Sequence, residues 1–196
     1  PVGPDGAENA DSTRFWKIAP DAGGRLWERW KEQGIASIGW EPLGDVGSMD
    51  DGQFQQAVAR ARQAHPDWSE DALEQVRRFS QIRVGDRVIA NRGTTEILGV
   101  GIVTRPYFFV AGVEHGHQLG MDWIDVRRRA VNEGGWRRTL INLTQREYER
   151  LTQSPVADDE PAFTERAFAI LEGIHANPRI EYYNQHREEF KLPVEY

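Results

Sequence analysis

The sequence predicts an α+β domain built on a small curled or barrel-like β-sheet flanked by helices. Short segments rich in aromatic and β-branched residues alternate with amphipathic helical segments. Glycines interrupt the most apolar strand segment, "EILGVGIVT", as at a bulge or a barrel bend. Helices are inserted early between short strands, which favours an α+β arrangement over a βαβ array.

Length and composition set the class of protein. The 196 residues, 39% hydrophobic and 28% charged, suit one globular domain with a small extension. The absence of cysteine excludes a disulfide scaffold, thiol catalysis and cysteine-ligated zinc. No apolar run reaches the ~18 residues that a membrane span needs, and no secretory signal is visible. We therefore expect a cytoplasmic protein with no membrane partner.

Individual elements follow from periodicity and capping signals. Asp50 or Asp51 is positioned to cap a helix, Ser69 to cap the next, and Thr144 with Glu147 to form a capping box. Gly34 fits the position just past a helix end. Strands are predicted at 14–19, 35–40, 87–93, 96–104, 106–111 and 115–131, and helices at 23–34, 49–65, 66–82 and 143–152.

The ends of the chain differ from this core in composition. Residues 1–14 are polar, rich in Gly, Pro and Asp, and without periodicity, which predicts a flexible tail. The segment 153–163 reads as a linker, and two helical patterns follow it. We expect residues 153–196 to form a C-terminal helical extension that connects to an effector module.

The residues offer little sign of catalysis. His115 and His117 could chelate a metal from one strand face, but their flanking glycines indicate a loop. Gly85-Asp86 reads as a turn before a strand. No phosphate-binding loop and no G-x-S-x-G elbow is present. We expect a binding domain with no enzyme activity, no metal and no cofactor.

Aromatic residues carry the strongest functional signal. Of the seven tryptophans, Trp27 and Trp30 share a helix face and are expected in the core, and Trp68 is expected to pack at the start of a helix. The others, with the aromatics of "PYFF", lie on or beside strands and loops. They are either core residues or platforms on which a flat ligand such as a nucleobase stacks.

Charge gives a mixed indication. The formal net charge of −7 argues against a protein that coats nucleic acid. Yet the arginines come in clusters, at 77–78, 127–129 and 137–138. A basic face and scattered solvated charge both remain open.

Several segments together resemble a known family. They are "FWKIAPDAGGRLWERWKEQGIASIGWEPLGDV", "FSQIRVGDRVIANRGTTEILGVGIVTRPYFF" and "HQLGMDWIDV". In order and spacing this sequence resembles the EVE-like domains of the PUA/YTH/ASCH superfamily, as found at the N-terminus of McrB-type modification-dependent restriction proteins. The resemblance implies an EVE-like modified-base-binding domain over residues 15–152, with a PUA/EVE/YTH-like fold.

The resemblance also implies a function. The chain would be a DNA-binding specificity module that flips a modified base, N6-methyladenine or a modified cytosine, into an aromatic pocket. Its partners would be double-stranded DNA carrying that base, and an AAA+ GTPase or ATPase with a nuclease module, as in a type IV McrBC-like restriction system acting in phage defence. The alternatives are an RNA-binding module for modified nucleotides and a protein-interaction domain without a nucleic-acid ligand.

Site residues follow by position. Trp40 stands where YTH-like readers place a cage tryptophan, and the second wall is expected from the loop after "LGVGIVT". Trp16 is a further candidate, although burial trends favour the core for it. The base-binding candidates are Trp40, Ser37, Ile38, Asp45, Asn91, Tyr107, Phe108, Phe109 and Trp16. The phosphate-contact candidates are Arg92, Arg127, Arg128, Arg129, Arg137 and Arg138.

Overall fold

A computed structural model describes residues 13–157 of the chain. The predicted tail up to residue 12 and the two predicted C-terminal helices lie outside this range. Within the described residues, no helix has the length and apolar character needed to cross a bilayer.

Three helices lie among the first strands of the described chain, five consecutive strands follow them, and a last helix ends it. The strands are β1 (Phe15–Ile18), β2 (Ile35–Ile38), β3 (Arg87–Arg92), β4 (Glu96–Phe109), β5 (His117–Asp125), β6 (Arg129–Ala130) and β7 (Leu140–Leu143). The helices are α1 (Trp27–Gln33), α2 (Asp51–Ala64), α3 (Glu70–Ser80) and α4 (Gln145–Thr152).

The seven strands form one curled sheet that does not close into a barrel. Its order is β2-β5-β4-β3-β1-β7, and β6 pairs with β4 beside this path. β1 and β3 are parallel, and the remaining pairs are antiparallel. The predicted fold class, an α+β domain with a curled sheet flanked by helices, is confirmed.

The long strand β4 differs from its prediction. The segments 96–104 and 106–111 were expected to be separate, but they form one 14-residue strand. Register shifts interrupt its pairing with β5 between Val103 and Arg105 and between Arg105 and Phe108. Pro106 lies inside the second irregularity, where the ladder does not need a backbone N–H, so the strand continues through it.

The helix ends follow the capping signals. Asp50 and Thr144 each form a capping box, and Ser69 accepts a hydrogen bond from the backbone N–H of Ala72. Gly34 ends α1 in the left-handed conformation. The predicted helix at 23–34 is shorter, because Gly23 and Gly24 have positive φ values of 64° and 76° within a 3₁₀ turn over Ala22–Gly24, and α1 begins only at Trp27.

Two further differences concern the end of the sheet. The predicted strand at 115–131 is divided into β5 and β6, because the Asp125 side chain accepts the backbone N–H of Arg127 and turns the chain. β7 was not predicted. Its four residues pair with β1, a partner more than a hundred residues away in the sequence.

Each side of the sheet carries a hydrophobic cluster. The larger cluster packs α1, α2 and α3 on the sheet and includes Trp30, Phe54, Leu73 and Phe79. The smaller one contains Ile89, Ile97, Val100, Trp136, Leu143 and Leu151. Burial of these side chains from both faces supplies the hydrophobic free energy of the fold.

Asp86 joins the start of the described chain to the loop before β3. Its carboxylate accepts hydrogen bonds from Trp16 Nε1 at 3.0 Å, Arg83 N at 3.0 Å, and Arg14 N and Nε at 3.1 Å. The Arg14 guanidinium also forms an ion pair with it at 2.8 Å. The carboxylate is almost fully buried, so its removal would leave several donors without an acceptor.

We therefore expect Asp86→Asn to lower the free energy of unfolding by about 2–4 kcal/mol, because an amide offers one acceptor oxygen where the carboxylate offers two. Urea denaturation of wild type and variant measures the difference. Asp67→Asn is the matched control, because Asp67 is exposed and its change should stay within about 0.5 kcal/mol. Equal stability of the two variants would contradict this role of Asp86.

Candidate functional site: a cavity between two tryptophans

A cavity of about 330 Å³ opens where β2 ends. Two indole rings, three carboxylates and one imidazole contribute to its wall. The lining residues are Ala19, Asp21, Gly39, Trp40, Glu41, Trp68, Glu114, His115 and Thr139. They come from the ends of β1 and β2, the loop between α2 and α3, the loop before β5 and the residue before β7.

Trp40 enters the cavity wall through an unusual backbone. β2 ends at Ile38, and Trp40 then adopts a left-handed conformation with φ 73° and ψ 38°. Its carbonyl accepts the N–H of Leu43 at 3.0 Å and so starts a 3₁₀ turn over Glu41–Leu43. A left-handed tryptophan is uncommon, because Cβ crowds the following carbonyl. In this conformation the chain leaves the direction of β2 at Trp40, and the half-buried indole lines the cavity.

Trp68 forms the other aromatic part of the wall. It lies between α2 and α3, and its ring stacks on the imidazole of His65 with centroids 4.1 Å apart. Its backbone N–H donates to the carbonyl of His65 at 3.0 Å. The sequence predicted only packing at a helix start for this residue. No local pattern identifies it as a wall, because its approach to Trp40 depends on how α2 and α3 pack on the sheet.

An ion-pair cluster borders the cavity. The Arg25 guanidinium contacts Asp21 at 2.5 Å and Glu114 at 2.6 Å. Burial raises the pKa of Asp21, but the backbone N–H of Ala22 and the Arg25 guanidinium outweigh it and lower that pKa overall. The hydrogen bond from Arg25 likewise lowers the pKa of Glu114. Both acids are therefore ionised at neutral pH and share one cation.

The same cluster has the donor set of a metal centre. Asp21, Glu114 and His115 each offer one ligand atom, and these atoms lie within 4.8 Å of one another. The Arg25 guanidinium already bridges Asp21 and Glu114, so a divalent cation would compete with it for these carboxylates. The arrangement is thus explained as an ion-pair cluster.

Glu41 ties the loop before β5 to the turn after Trp40. Its carboxylate accepts the backbone N–H of His115 and, at 3.3 Å, that of Gly116. His115 has a positive φ of 59°, and its Nδ1 is buried with no hydrogen-bond partner among the described residues. The loop that carries Glu114 and His115 is therefore held against the cavity by a carboxylate.

The aromatic residues predicted to form the second wall lie outside the cavity lining. The second wall was expected from a loop after "LGVGIVT", but Tyr107, Phe108 and Phe109 form the end of β4. Tyr107 packs edge-on against Phe79, and Phe108 lies beneath the Arg105 guanidinium at 3.9 Å. The cavity lining does not include these three residues.

Three further base-binding candidates belong to the core. Trp16 is 7% exposed, and its Nε1 donates to Asp86. Ser37 and Ile38 are buried in β2 and pair with β5, and the Ser37 hydroxyl accepts the indole N–H of Trp30 at 2.9 Å. Their backbone and side-chain groups are thus engaged in the sheet and core, not in the cavity wall.

Asp45 and Asn91, predicted to contact the base edge, are separated in the structure. Asp45 accepts the N–H of Gly47 at 3.0 Å, and it lines a different polar groove with Arg60. Asn91 is buried in β3, and its Nδ2 donates to the carbonyl of Gly93 at 2.7 Å. Asn91 also lines a second cavity.

The second cavity, of about 350 Å³, adjoins the first and shares Ala19, Asp21 and Thr139 with it. Two of the phosphate-contact candidates, Arg137 and Arg138, contribute to its wall. Beneath them Lys17 is fully buried, and its Nζ donates to the carbonyls of Trp136, at 3.4 Å, and Arg138. Burial lowers the pKa of Lys17 to about 8.

The other four arginines are held in ion pairs away from both cavities. Arg92 and Arg128 share Glu96, at 3.0 and 3.8 Å. Arg127 and Arg129 share Asp125, at 3.0 and 2.5 Å, and their hydrogen bonds lower its pKa. The structure thus brings Trp40, Arg137, Arg138 and Asn91 to two adjoining cavities and places the remaining candidates elsewhere.

Comparisons with solved structures show remote likenesses. The YTH domain of Zygosaccharomyces rouxii MRB1 protein, solved in complex with N6-methyladenosine RNA, is 12% identical, with a TM-score of 0.40 over 76% of this chain and 93% of that one. A hypothetical protein from Leishmania major is 10% identical, with a TM-score of 0.43 over 73% and 94%. A protein from Agrobacterium tumefaciens is 12% identical, with a TM-score of 0.40 over 71% and 90%.

No curated protein matches the sequence significantly. Residues 16–143, which include nearly all of β1 and the whole of β2 through β7, match one protein family. That family is described as a domain of unknown function, DUF8426, and the match extends over more than half of the chain. The chain therefore belongs to the DUF8426 family.

Proposed function

We propose that this domain binds a single nucleobase, turned out of its helix, in the cavity between Trp40 and Trp68. The observation that carries the proposal is that two indoles from separate elements line one cavity of about 330 Å³. This volume lies at the lower end of the range for small-ligand sites, about 300–1,000 Å³. A cavity of this size accommodates one flat group such as a nucleobase, but not several in a row.

Stacking supplies a sufficient free energy for such a ligand. Each base–aromatic contact contributes about 1–3 kcal/mol, and turning a base out of a duplex costs a few kcal/mol. Two indoles therefore offset the cost without a large interface. A methyl group on the base adds apolar contact with the same rings.

The polar lining favours a base with an exocyclic amine. Asp21, Glu41 and Glu114 supply acceptor oxygens around the cavity, and carboxylates accept from the amino group of cytosine. Adenine also carries an amino group on its edge, and N6-methyladenine keeps one of its N–H bonds. This chemistry supports N6-methyladenine or a modified cytosine as the ligand.

The second cavity supports contact with the nucleic-acid backbone. Arg138 is 58% exposed at its side chain and reaches Asp71 only at 3.4 Å, and within residues 13–157 no ion pair to Arg137 forms. Both lie next to the base cavity across Thr139, so a phosphate near a bound base would meet them. A reader of one base needs few such contacts, which reconciles the site with a net charge of −7.

The biological setting of the proposal comes from the sequence resemblance to McrB-type proteins. In that setting the domain is the specificity module for modified duplex DNA in a type IV McrBC-like restriction system. The NTPase and nuclease activities would then belong to other modules or partners. This chain contributes recognition only.

Removal of either indole should abolish discrimination. We expect Trp40→Ala and Trp68→Ala each to weaken binding of a duplex with one modified base by about tenfold or more, because each variant can stack on the base from one side only. Calorimetry against duplexes with N6-methyladenine, 5-methylcytosine, 5-hydroxymethylcytosine or no modification measures this effect.

Tyr148→Ala is the matched control, because Tyr148 is a half-buried aromatic that lines a different cavity. It should bind like the wild type. Retention of full preference for a modified duplex by both tryptophan variants would refute the base site.

Arg137 and Arg138, beside the second cavity, should contribute to the salt dependence of nucleic-acid binding. We expect Arg137→Gln and Arg138→Gln each to reduce the slope of log affinity against log salt concentration by about one, because each guanidinium would neutralise one phosphate. Arg62→Gln, which removes an exposed charge from α2, is the control. Unchanged slopes in both variants would exclude these two residues as phosphate ligands.

Competition between matched oligonucleotides decides between DNA and RNA. In this assay the protein is first bound to duplex DNA with the preferred modified base. We expect an excess of the same DNA to displace it at a concentration at least tenfold lower than that of the corresponding RNA. The opposite order would make the domain an RNA reader. Failure of both to bind would favour the protein-interaction alternative.

A further inference from the structure

A partly buried chain of hydrogen bonds leads to the backbone of Trp40. The backbone N–H of Val46 donates to Tyr107 Oη at 3.3 Å. Tyr107 Oη contacts His117 Nδ1 at 2.9 Å, and His117 Nε2 contacts the carbonyl oxygen of Trp40 at 3.2 Å. The chain thus links β4, β5 and the two turns that follow β2.

The partners determine where each proton lies. The Trp40 carbonyl can only accept, so the Nε2 of His117 carries the hydrogen and donates to it. The Nδ1 of a neutral imidazole then accepts from the Tyr107 hydroxyl, whose oxygen accepts from Val46. In this arrangement every donor has one acceptor, and His117 is neutral.

The surroundings keep His117 neutral. Its side chain is fully buried, and this burial lowers its pKa, against the opposing effects of the Trp40 carbonyl and the Glu41 and Asp45 carboxylates. The Tyr107 and Phe109 rings pack against the imidazole, with centroids 5.9 and 4.9 Å away. Burial also raises the pKa of Tyr107, so its hydroxyl keeps its proton.

We propose that His117 and Tyr107 are positioning residues that hold Trp40 in its left-handed conformation and so place its indole in the cavity wall. The position of the indole follows from these contacts alone, whereas its role in binding a base rests on the proposed function. A left-handed conformation is strained for a residue other than glycine and persists only where its surroundings fix it. The hydrogen bond from His117 to the Trp40 carbonyl is such a constraint, and it acts directly on the strained backbone.

Two variants remove the chain in steps. Tyr107→Phe keeps the ring and removes the hydroxyl, and His117→Phe removes both ring nitrogens. His117→Gln is the conservative variant, because its amide carries a donor NH₂ group and an acceptor oxygen and does not titrate. Tyr148→Phe is the matched control, since it removes a hydroxyl from a half-buried tyrosine that lines another cavity.

The direct readout does not need a ligand. The seven tryptophans give seven indole N–H resonances in a ¹⁵N-correlated NMR spectrum, and Trp40→Phe identifies that of Trp40. We expect this resonance to shift or broaden in Tyr107→Phe and His117→Phe, to recover in His117→Gln, and to stay in place in Tyr148→Phe. The same two disruptive variants should lose on the order of tenfold in affinity for the modified duplex.

The outcomes separate the two proposals. An unchanged Trp40 resonance in Tyr107→Phe and His117→Phe would overturn the positioning role, whatever the DNA result. If His117→Phe does not fold, Tyr107→Phe alone decides, because it conserves the volume of the core. A Trp40 resonance that moves as expected, in a protein that does not distinguish modified from unmodified duplexes, would support the positioning role and refute the proposed function.

The neutral imidazole has a consequence for stability. Because the pKa of His117 is lower in the folded than in the unfolded state, the unfolded chain takes up a proton first as the pH falls. We expect the free energy of unfolding to decrease as the pH drops below about 6.5, the ordinary histidine value, and this part of the decrease to be absent in His117→Gln. Urea denaturation at pH 7.5 and 5 measures it, with His65→Gln as control. Identical losses in wild type and His117→Gln would show that His117 does not titrate differently on unfolding.

Discussion

The close approach of two tryptophan rings to β4 fixes the centre of the domain. A Cβ at Gly99 would lie 2.5 Å from Trp27, and one at Gly101 would lie 2.8 Å from Trp123, so neither site admits a side chain without movement. The two rings meet edge to face at 4.8 Å, and Trp30 stacks on Trp123 at 5.9 Å. This packing docks α1 on the middle strands. Because only Gly34 separates α1 from β2, the packing of α1 also fixes the position of β2 and of Trp40 after it.

The packing also explains which tryptophans remain for a ligand. Trp27, Trp30 and Trp16 are buried, and the half-buried Trp123 donates its N–H to the carbonyls of Trp30 and Ile35 at 3.2 Å. Trp40 and Trp68 instead contact the core from one side and line a cavity on the other. Beside them, the Arg25 guanidinium bridges Asp21 and Glu114 and offsets part of their negative charge. The electrostatic field at the site depends on these local charges and on Arg137 and Arg138 next to it, so the net charge of the chain is a poor guide to it.

Local signals in the sequence predicted much of the fold. Hydrophobic periodicity, the caps at Ser69 and Thr144 and the glycine after α1 each depend on residues within one turn of chain, so a single sequence displays them. Trp40 was proposed as a wall residue from the resemblance to YTH-like readers. Trp68 was not, because its place in the wall depends on the packing of α2 and α3, and the four-residue β7 carries too few residues to show a period. The aromatics of "PYFF" were misplaced because Pro106 suggested an end where a bulge lets β4 continue.

The strained backbone of Trp40 bears on how the site would recognise its ligand. The Leu43 N–H and the His117 imidazole, both within the protein, hold the Trp40 carbonyl, so under the proposed function the indole would be in place before a base binds. Binding then costs little side-chain entropy at Trp40, so more of the stacking free energy contributes to affinity. A wall formed in advance also discriminates by shape rather than by adapting to what enters. Such a rigid template is well suited to a ligand that differs from its abundant unmodified counterpart by a single small substituent.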